Sequence, residues 1–115
     1  MKIKTVDLKG KAYAPVGERI KALHEEHQAC KIKTSYEFKE GWVIFRAVLT
    51  PDIIAEPTRY FTGHSFGKVD KEKALEKLET VAIGRALAIG GFAPDGTIAS
   101  AEEMQKFNDS KDGDF

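Results

Sequence analysis

Among the side chains able to do chemistry, Arg85 stands out by its isolation. It is the one charged or side-chain polar group in V-A-I-G-R-A-L-A-I-G-G-F, residues 81–92. A guanidinium keeps its proton, so within an apolar helical run it must reach water or meet an anion. The run is too short to cross a bilayer, which takes roughly 20 apolar residues. The expectation is a core helix that delivers one fixed positive charge to the edge of a groove, facing a polyanion and not an internal carboxylate. Other chemistries are weaker. His24-Glu25-Glu26-His27 spaces its histidines by three, where a zincin helix needs four, and no third ligand is evident. Cys30 has no histidine assigned to it and reads as a half-buried thiol. Gly84, Gly90 and Gly91 match neither a Walker loop nor a dinucleotide fingerprint, because they sit within or just after a helix. No carboxylate pair has a persuasive catalytic setting. The reading is a protein that is not an enzyme and uses no metal or cofactor; an enzyme built on His64 or Cys30 is the competing view.

Nucleic-acid binding has better material. Lys31, Lys33, Arg46 and Arg59 fall on successive expected strands, where they can align on one face that Arg85 closes into a groove. Trp42, Tyr60 and Phe61, with Tyr36 and Phe66, interleave with these cations. Cationic contacts to phosphate combined with stacking, at about 1–3 kcal/mol per base, hold single strands without sequence preference. The alternative makes the aromatics core and the lysines a solvated face. The formal net charge is zero, yet residues 1–92 hold 16 Lys+Arg against 12 Asp+Glu, and residues 93–115 hold 2 against 6. That split fits a basic body for an anionic polymer with an acidic tail, and equally an uneven surface with a solubilising tail.

The elements that must position these groups follow from periodicity. At 115 residues, with 42% apolar and 31% charged side chains, the chain suits one soluble globular domain. The first residues carry no apolar block, so no secretory signal is expected. One cysteine excludes an internal disulfide and points to the cytoplasm or another reducing space. Residues 1–14 read as a basic arm or a short edge strand. Pro15 starts an amphipathic helix with Val16, Ile20 and Leu23 inward, ending near Gln28. Period two then sets Ile32, Thr34, Tyr36 and Phe38 on one face of a strand. After a turn at Glu40-Gly41, residues 42–50 place Val43, Phe45, Ala47 and Leu49 opposite Ile44, Arg46 and Val48. A third strand is expected over 58–66. A long helix over 71–89 carries a stripe of Leu75, Leu78, Ala82, Ala86 and Ile89, and its last half is apolar almost all round. Such a helix is buried on two sides; the second is expected against another subunit. Gly90-Gly91 ends it. Asp95-Gly96 marks a turn, and Ser100-x-x-Glu103 is a capping box. The expected fold is α+β: a three-stranded antiparallel β-meander on a long C-terminal core helix, with an N-terminal helix. Residues 1–92 would form the binding domain and 93–115 an acidic tail with a short helix and a disordered end.

Two strings then carry a resemblance. K-G-K-A-Y-A-P-V-G-E-R-I-K and, after three strands, E-K-L-E-T-V-A-I-G-R-A-L-A-I-G-G-F resemble phage and eukaryotic members of the Rad fifty-two-like single-strand annealing superfamily, over about residues 9–92. The resemblance implies a β-β-β-α core with an added helix, assembly into rings or filaments, and single-stranded DNA held in a basic groove without metal or nucleotide. It gives Arg85 to the DNA backbone, while Gly84 and Ala88 stand where eukaryotic members have further basic residues. The ending, with Asp112, Asp114 and Phe115, resembles the acidic C-terminus of bacterial and phage single-strand-binding proteins, which docks replication and recombination proteins. A single-stranded DNA-binding, homo-oligomeric protein of DNA replication or recombination is therefore expected, able to coat and anneal strands. A protein-interaction module of the same fold, without DNA affinity, is the alternative.

Overall fold

A computed structural model describes residues 3–93 and 99–104. The order is β1 (Val6–Leu8), β2 (Lys11–Tyr13), α1 (Val16–Glu26), β3 (Lys31–Lys39), β4 (Trp42–Thr50), β5 (Phe61–Lys68) and α2 (Ala74–Ile89). The architecture is α+β, with an antiparallel sheet ordered β3-β4-β5 packed on α2. The basic N-terminal stretch is not an arm: β1 and β2 pair as a hairpin, Val6 opposite Tyr13. Its Lys9-Gly10 turn and the Glu40-Gly41 turn joining β3 to β4 each have two successive residues at positive φ, +54° and +83° in the first and +51° and +83° in the second. Two-residue hairpin loops of that hand match the right-handed twist of the strands, and glycine enters the second position without strain.

The core lies between the inner sheet face and α2. Val43, Phe45, Ala47 and Leu49 of β4 are buried against Leu78, Ala82, Ala86 and Leu87. On β5 the inward residues are Gly63, Ser65 and Gly67, small enough for the helix to come close. A Cβ at Gly63 would strike the Ala82 carbonyl oxygen and the Ala86 nitrogen. Because α2 lies mainly over β4 and β5, the inner face of β3 is left open at its far end, where Tyr36 and Phe38 are exposed.

Several features differ from the sequence reading. The third strand starts at Phe61 and not at residue 58, because Arg59 N–H bonds to the Glu56 carbonyl in a preceding turn. The long helix starts at Ala74, since Lys73 takes a left-handed conformation (φ +67°) that breaks the helical path from Lys71. Its second apolar side meets α1 and residues 99–104 of the same chain. Val16 and Ser100 both lie against Gly84, and Ser100 and Ala101 are buried. Ile89, expected inward, is half exposed at the helix end. The end itself is as expected: Gly91 (φ +98°) is followed by Phe92, whose N–H bonds to the Leu87 carbonyl at 2.8 Å while Gly91 N–H bonds to Ala88. This paired closure satisfies two terminal carbonyls, and it turns Phe92 into the core.

Residues 99–104 thus belong to the body, which shifts the boundary expected at residue 92. The turn of helix over 101–104 is capped as predicted, Glu103 N–H donating to Ser100 Oγ at 3.2 Å. Its neighbour Glu102 does work the sequence did not suggest. Helix α1 follows Pro15 and has no side-chain cap of its own. The Glu102 carboxylate accepts from Val16 N–H at 3.0 and 3.1 Å, supplying the missing acceptor and placing negative charge at a helix N-terminus. The Asp95-Gly96 turn and the tail residues Asp112, Asp114 and Phe115 lie outside the described residues.

Candidate nucleic-acid interface

Among the described residues no helix covers the sheet's outer face, and strand register decides what stands on it. Across the three strands run the rows Lys33–Val48–Thr62, Ser35–Arg46–His64, Glu37–Ile44–Phe66 and Lys39–Trp42–Lys68, with Lys31 opposite Thr50 beyond the first. Period two forces this: with Val43, Phe45, Ala47 and Leu49 committed to the core, Trp42, Ile44, Arg46 and Val48 must face outward. The face divides into two halves. One end is basic, with Lys31, Lys33, Arg46 and His64 exposed. No acidic side chain of the described residues pairs with these lysines or Arg46.

The other end is aromatic. Trp42 and Phe66 stack with ring centroids 5.7 Å apart and planes 32° from parallel, and Phe66 is 68% exposed. Lys68 Nζ sits 5.5 Å from the Trp42 ring centre, a cation–π contact. Glu37, Lys39, Glu40, Trp42, Ile44 and Phe66 line a shallow depression of about 490 Å³. Two flat rings in solvent with cations at the margin form a surface on which a planar heterocycle can stack while its anionic backbone is neutralised nearby.

Lys31, Lys33, Arg46 and Trp42 are therefore gathered on one face. Arg59 and Tyr60 are not on it; they sit in the loop before β5. Arg59 lies 3.5 Å from Glu56 and over the Phe61 ring, 5.2 Å from its centre. Phe61 is a correction: opposite Leu49, it faces the helix side and packs on the core, so it offers no ring to a base. The sequence reading named Tyr60 and Phe61 as stacking rings without assigning the third strand's residues to faces. The alternation Gly63, Ser65, Gly67 against His64, Phe66, Lys68 was the available signal: three small residues at every second position mark the side a helix approaches.

Arg85 is the larger correction. Its Nε donates to Glu103 Oε1 at 3.1 Å and its Nη2 to Oε2 at 3.3 Å, a bidentate ion pair with an internal carboxylate. Nη1 donates to the His64 carbonyl at 2.7 Å, at the free edge of β5. The apolar run told correctly that an anion was needed; it could not tell that residue 103 supplies one.

A second arginine was missed. Arg19, on α1, is 0% exposed. It donates to the Gly84 carbonyl (Nη1, 2.9 Å) and to the Ala99 carbonyl (Nη2, 2.9 Å), tying α1 to α2 and to the C-terminal segment. Burial pushes its pKa below the ordinary arginine value, while the charges of Glu103 and Glu102 push it back up. Gly84 leaves no room for a side chain, since a Cβ there would come 2.7 Å from Val16 Cγ2. Cys30 does have a histidine beside it, His24 Nδ1 lying 3.4 Å from Sγ on the exposed end of α1. Among the described residues, no group of three or more His, Cys, Asp or Glu side chains is placed to hold a metal ion, and no helix is long and apolar enough to cross a membrane.

No family model matches the chain, and no curated protein or solved structure matches it.

Proposed function

We propose that this protein binds single-stranded DNA on the open face of its sheet, as a Rad fifty-two-like protein of phage type acting in DNA replication or recombination. The observation that supports it is the adjacency of a cluster of exposed cations (Lys31, Lys33, Arg46) and a solvent-exposed Trp42–Phe66 stack on a surface that no element among the described residues covers. Phosphates would lie on the basic half and unpaired bases on the rings. A duplex buries its base faces and has nothing to offer the stack. In this reading copies of the chain coat and anneal strands as a homo-oligomer in the cytoplasm, and the acidic ending (Asp112, Asp114, Phe115) recruits protein partners.

The chain contains one tryptophan, so the proposed stacking ring reports on itself. Titration with an oligothymidylate should quench its fluorescence in step with a rise in anisotropy of labelled DNA. Trp42→Ala should weaken binding about 5- to 150-fold, the equivalent of about 1–3 kcal/mol for one stacked base. Arg46→Gln should reduce the slope of log affinity against log salt by about 0.7, as expected for one lost phosphate on a single strand. Wild-type affinity in both variants would refute the assignment. The interaction-module reading has the apolar helix and the tail dock proteins instead; failure to bind oligonucleotide even at low salt would favour it.

A further inference from the structure

The carboxylate on Arg85 is placed as a competitor. In a capping box the residue at this position can reach back to the cap's own backbone N–H. Glu103 instead gives both oxygens to the Arg85 guanidinium. The arginine side chain remains 42% exposed, while that of Glu103 is 14% exposed. Arg85 also holds the carbonyl of His64, whose side chain closes the row Ser35–Arg46–His64 on the open face. A polyanion crossing the sheet along this row leaves it at the edge of β5, where the guanidinium stands.

We propose that Glu103 is a built-in competitor for a phosphodiester at Arg85, an inference that rests on the open-face reading above. A planar guanidinium fork takes a carboxylate or a phosphate in the same two-bond geometry, so one can replace the other. The exchange needs only the Glu103 side chain to turn into solvent. Glu102 stays on the first amide of α1, and Ser100 and Ala101 stay buried, so the segment remains docked while one charge is released. In the free chain the Arg85–Glu103 pair is neutral and adds nothing to the attraction of a polyanion. In the complex the phosphate takes the place of Glu103, and that carboxylate lowers affinity by the strength of the pair it must give up.

The test uses the full chain and a labelled oligothymidylate at several salt concentrations. Glu103→Gln should bind up to about fivefold tighter than wild type, the range of a partly exposed ion pair, with the gain largest at low salt and shrinking as salt screens the competing pair, so that its salt slope is the steeper. Glu25→Gln, which removes an equal charge from the exposed side of α1, should leave the slope unchanged. The double variant Arg85→Gln/Glu103→Gln should lose the gain. If Glu103→Gln melts early, Glu103→Asp, one methylene too short to reach the guanidinium from the same backbone position, carries the same expectation at reduced size. Equal affinity and slope in wild type, Glu103→Gln and Glu25→Gln would overturn the inference while the open-face reading stood. No binding by any of the proteins would overturn both.

Discussion

Replacing Arg19 with methionine should unfold this protein far more readily than a change at a helical arginine normally does. Methionine keeps most of the buried stem but removes two charge-assisted hydrogen bonds, to the carbonyls of Gly84 and Ala99. Such bonds are worth roughly 1.5–3 kcal/mol each, so their gross loss is about 3–6 kcal/mol. Against this stands the desolvation of a guanidinium that the variant no longer has to bury. What is left behind decides the balance. Glu102 retains the Val16 amide and Glu103 retains Arg85, so neither carboxylate is stranded as a buried lone charge. The Ala99 carbonyl, in contrast, loses its guanidinium donor. A net loss of about 3 kcal/mol follows, or roughly 12 °C in Tm at about 4 °C per kcal/mol for a chain of this size. Urea denaturation followed by circular dichroism measures it directly. Arg19→Lys should recover part of the loss, because a point ammonium can serve one carbonyl but not span both. A loss under about 1 kcal/mol in Arg19→Met would refute the view that this side chain clamps α1, α2 and residues 99–104 together.

Three further outcomes follow from the same geometry. Gly63→Ala should cost about 3 kcal/mol or more, because the added methyl collides with the α2 backbone and not with a yielding side chain; near-wild-type melting would show that the helix can shift. Phe61→Leu should lower the melting temperature and leave oligonucleotide affinity unchanged, since its ring packs on the helix side of the sheet; a loss of affinity at unaltered stability would place it on the wrong face here. Asp52 accepts backbone N–H bonds from Ala55 and Ile54, and these hold its carboxyl below the ordinary aspartate value. A depressed carboxyl stabilises the fold above its unfolded pKa and loses that contribution as pH falls through the folded one. Asp52→Ala should therefore be less stable than wild type near neutrality and converge with it in acid; a gap that persists undiminished at low pH would exclude the titration as its source.

Much of this fold was legible because local patterns and tertiary packing agreed. The alternation in β4 separated Val43, Phe45, Ala47 and Leu49 from Trp42, Ile44 and Arg46 without reference to any other strand, since period two allows only one burial of four apolar side chains. Glu40-Gly41, Pro15 and Gly90-Gly91 marked element ends through backbone preferences that no distant contact overrode. The site was legible where it depended on this alternation, at Lys31, Lys33, Trp42 and Arg46, and illegible where it depended on partners. Arg19 and Arg85 needed the positions of carbonyls and carboxylates supplied by residues 64, 84, 99 and 103, and nothing in the local pattern of either arginine reports those.

Sequence by itself determined which side chains each strand and helix presents together, because handedness and pleat impose periods that hold wherever the element lies. Only the tertiary structure decided which charges remain available to a ligand. Neutralisation acts over a few ångströms and is indifferent to separation along the chain, so a glutamate 18 positions downstream could pair the charge of a partly exposed arginine, and a proline-started helix could borrow its cap from residue 102.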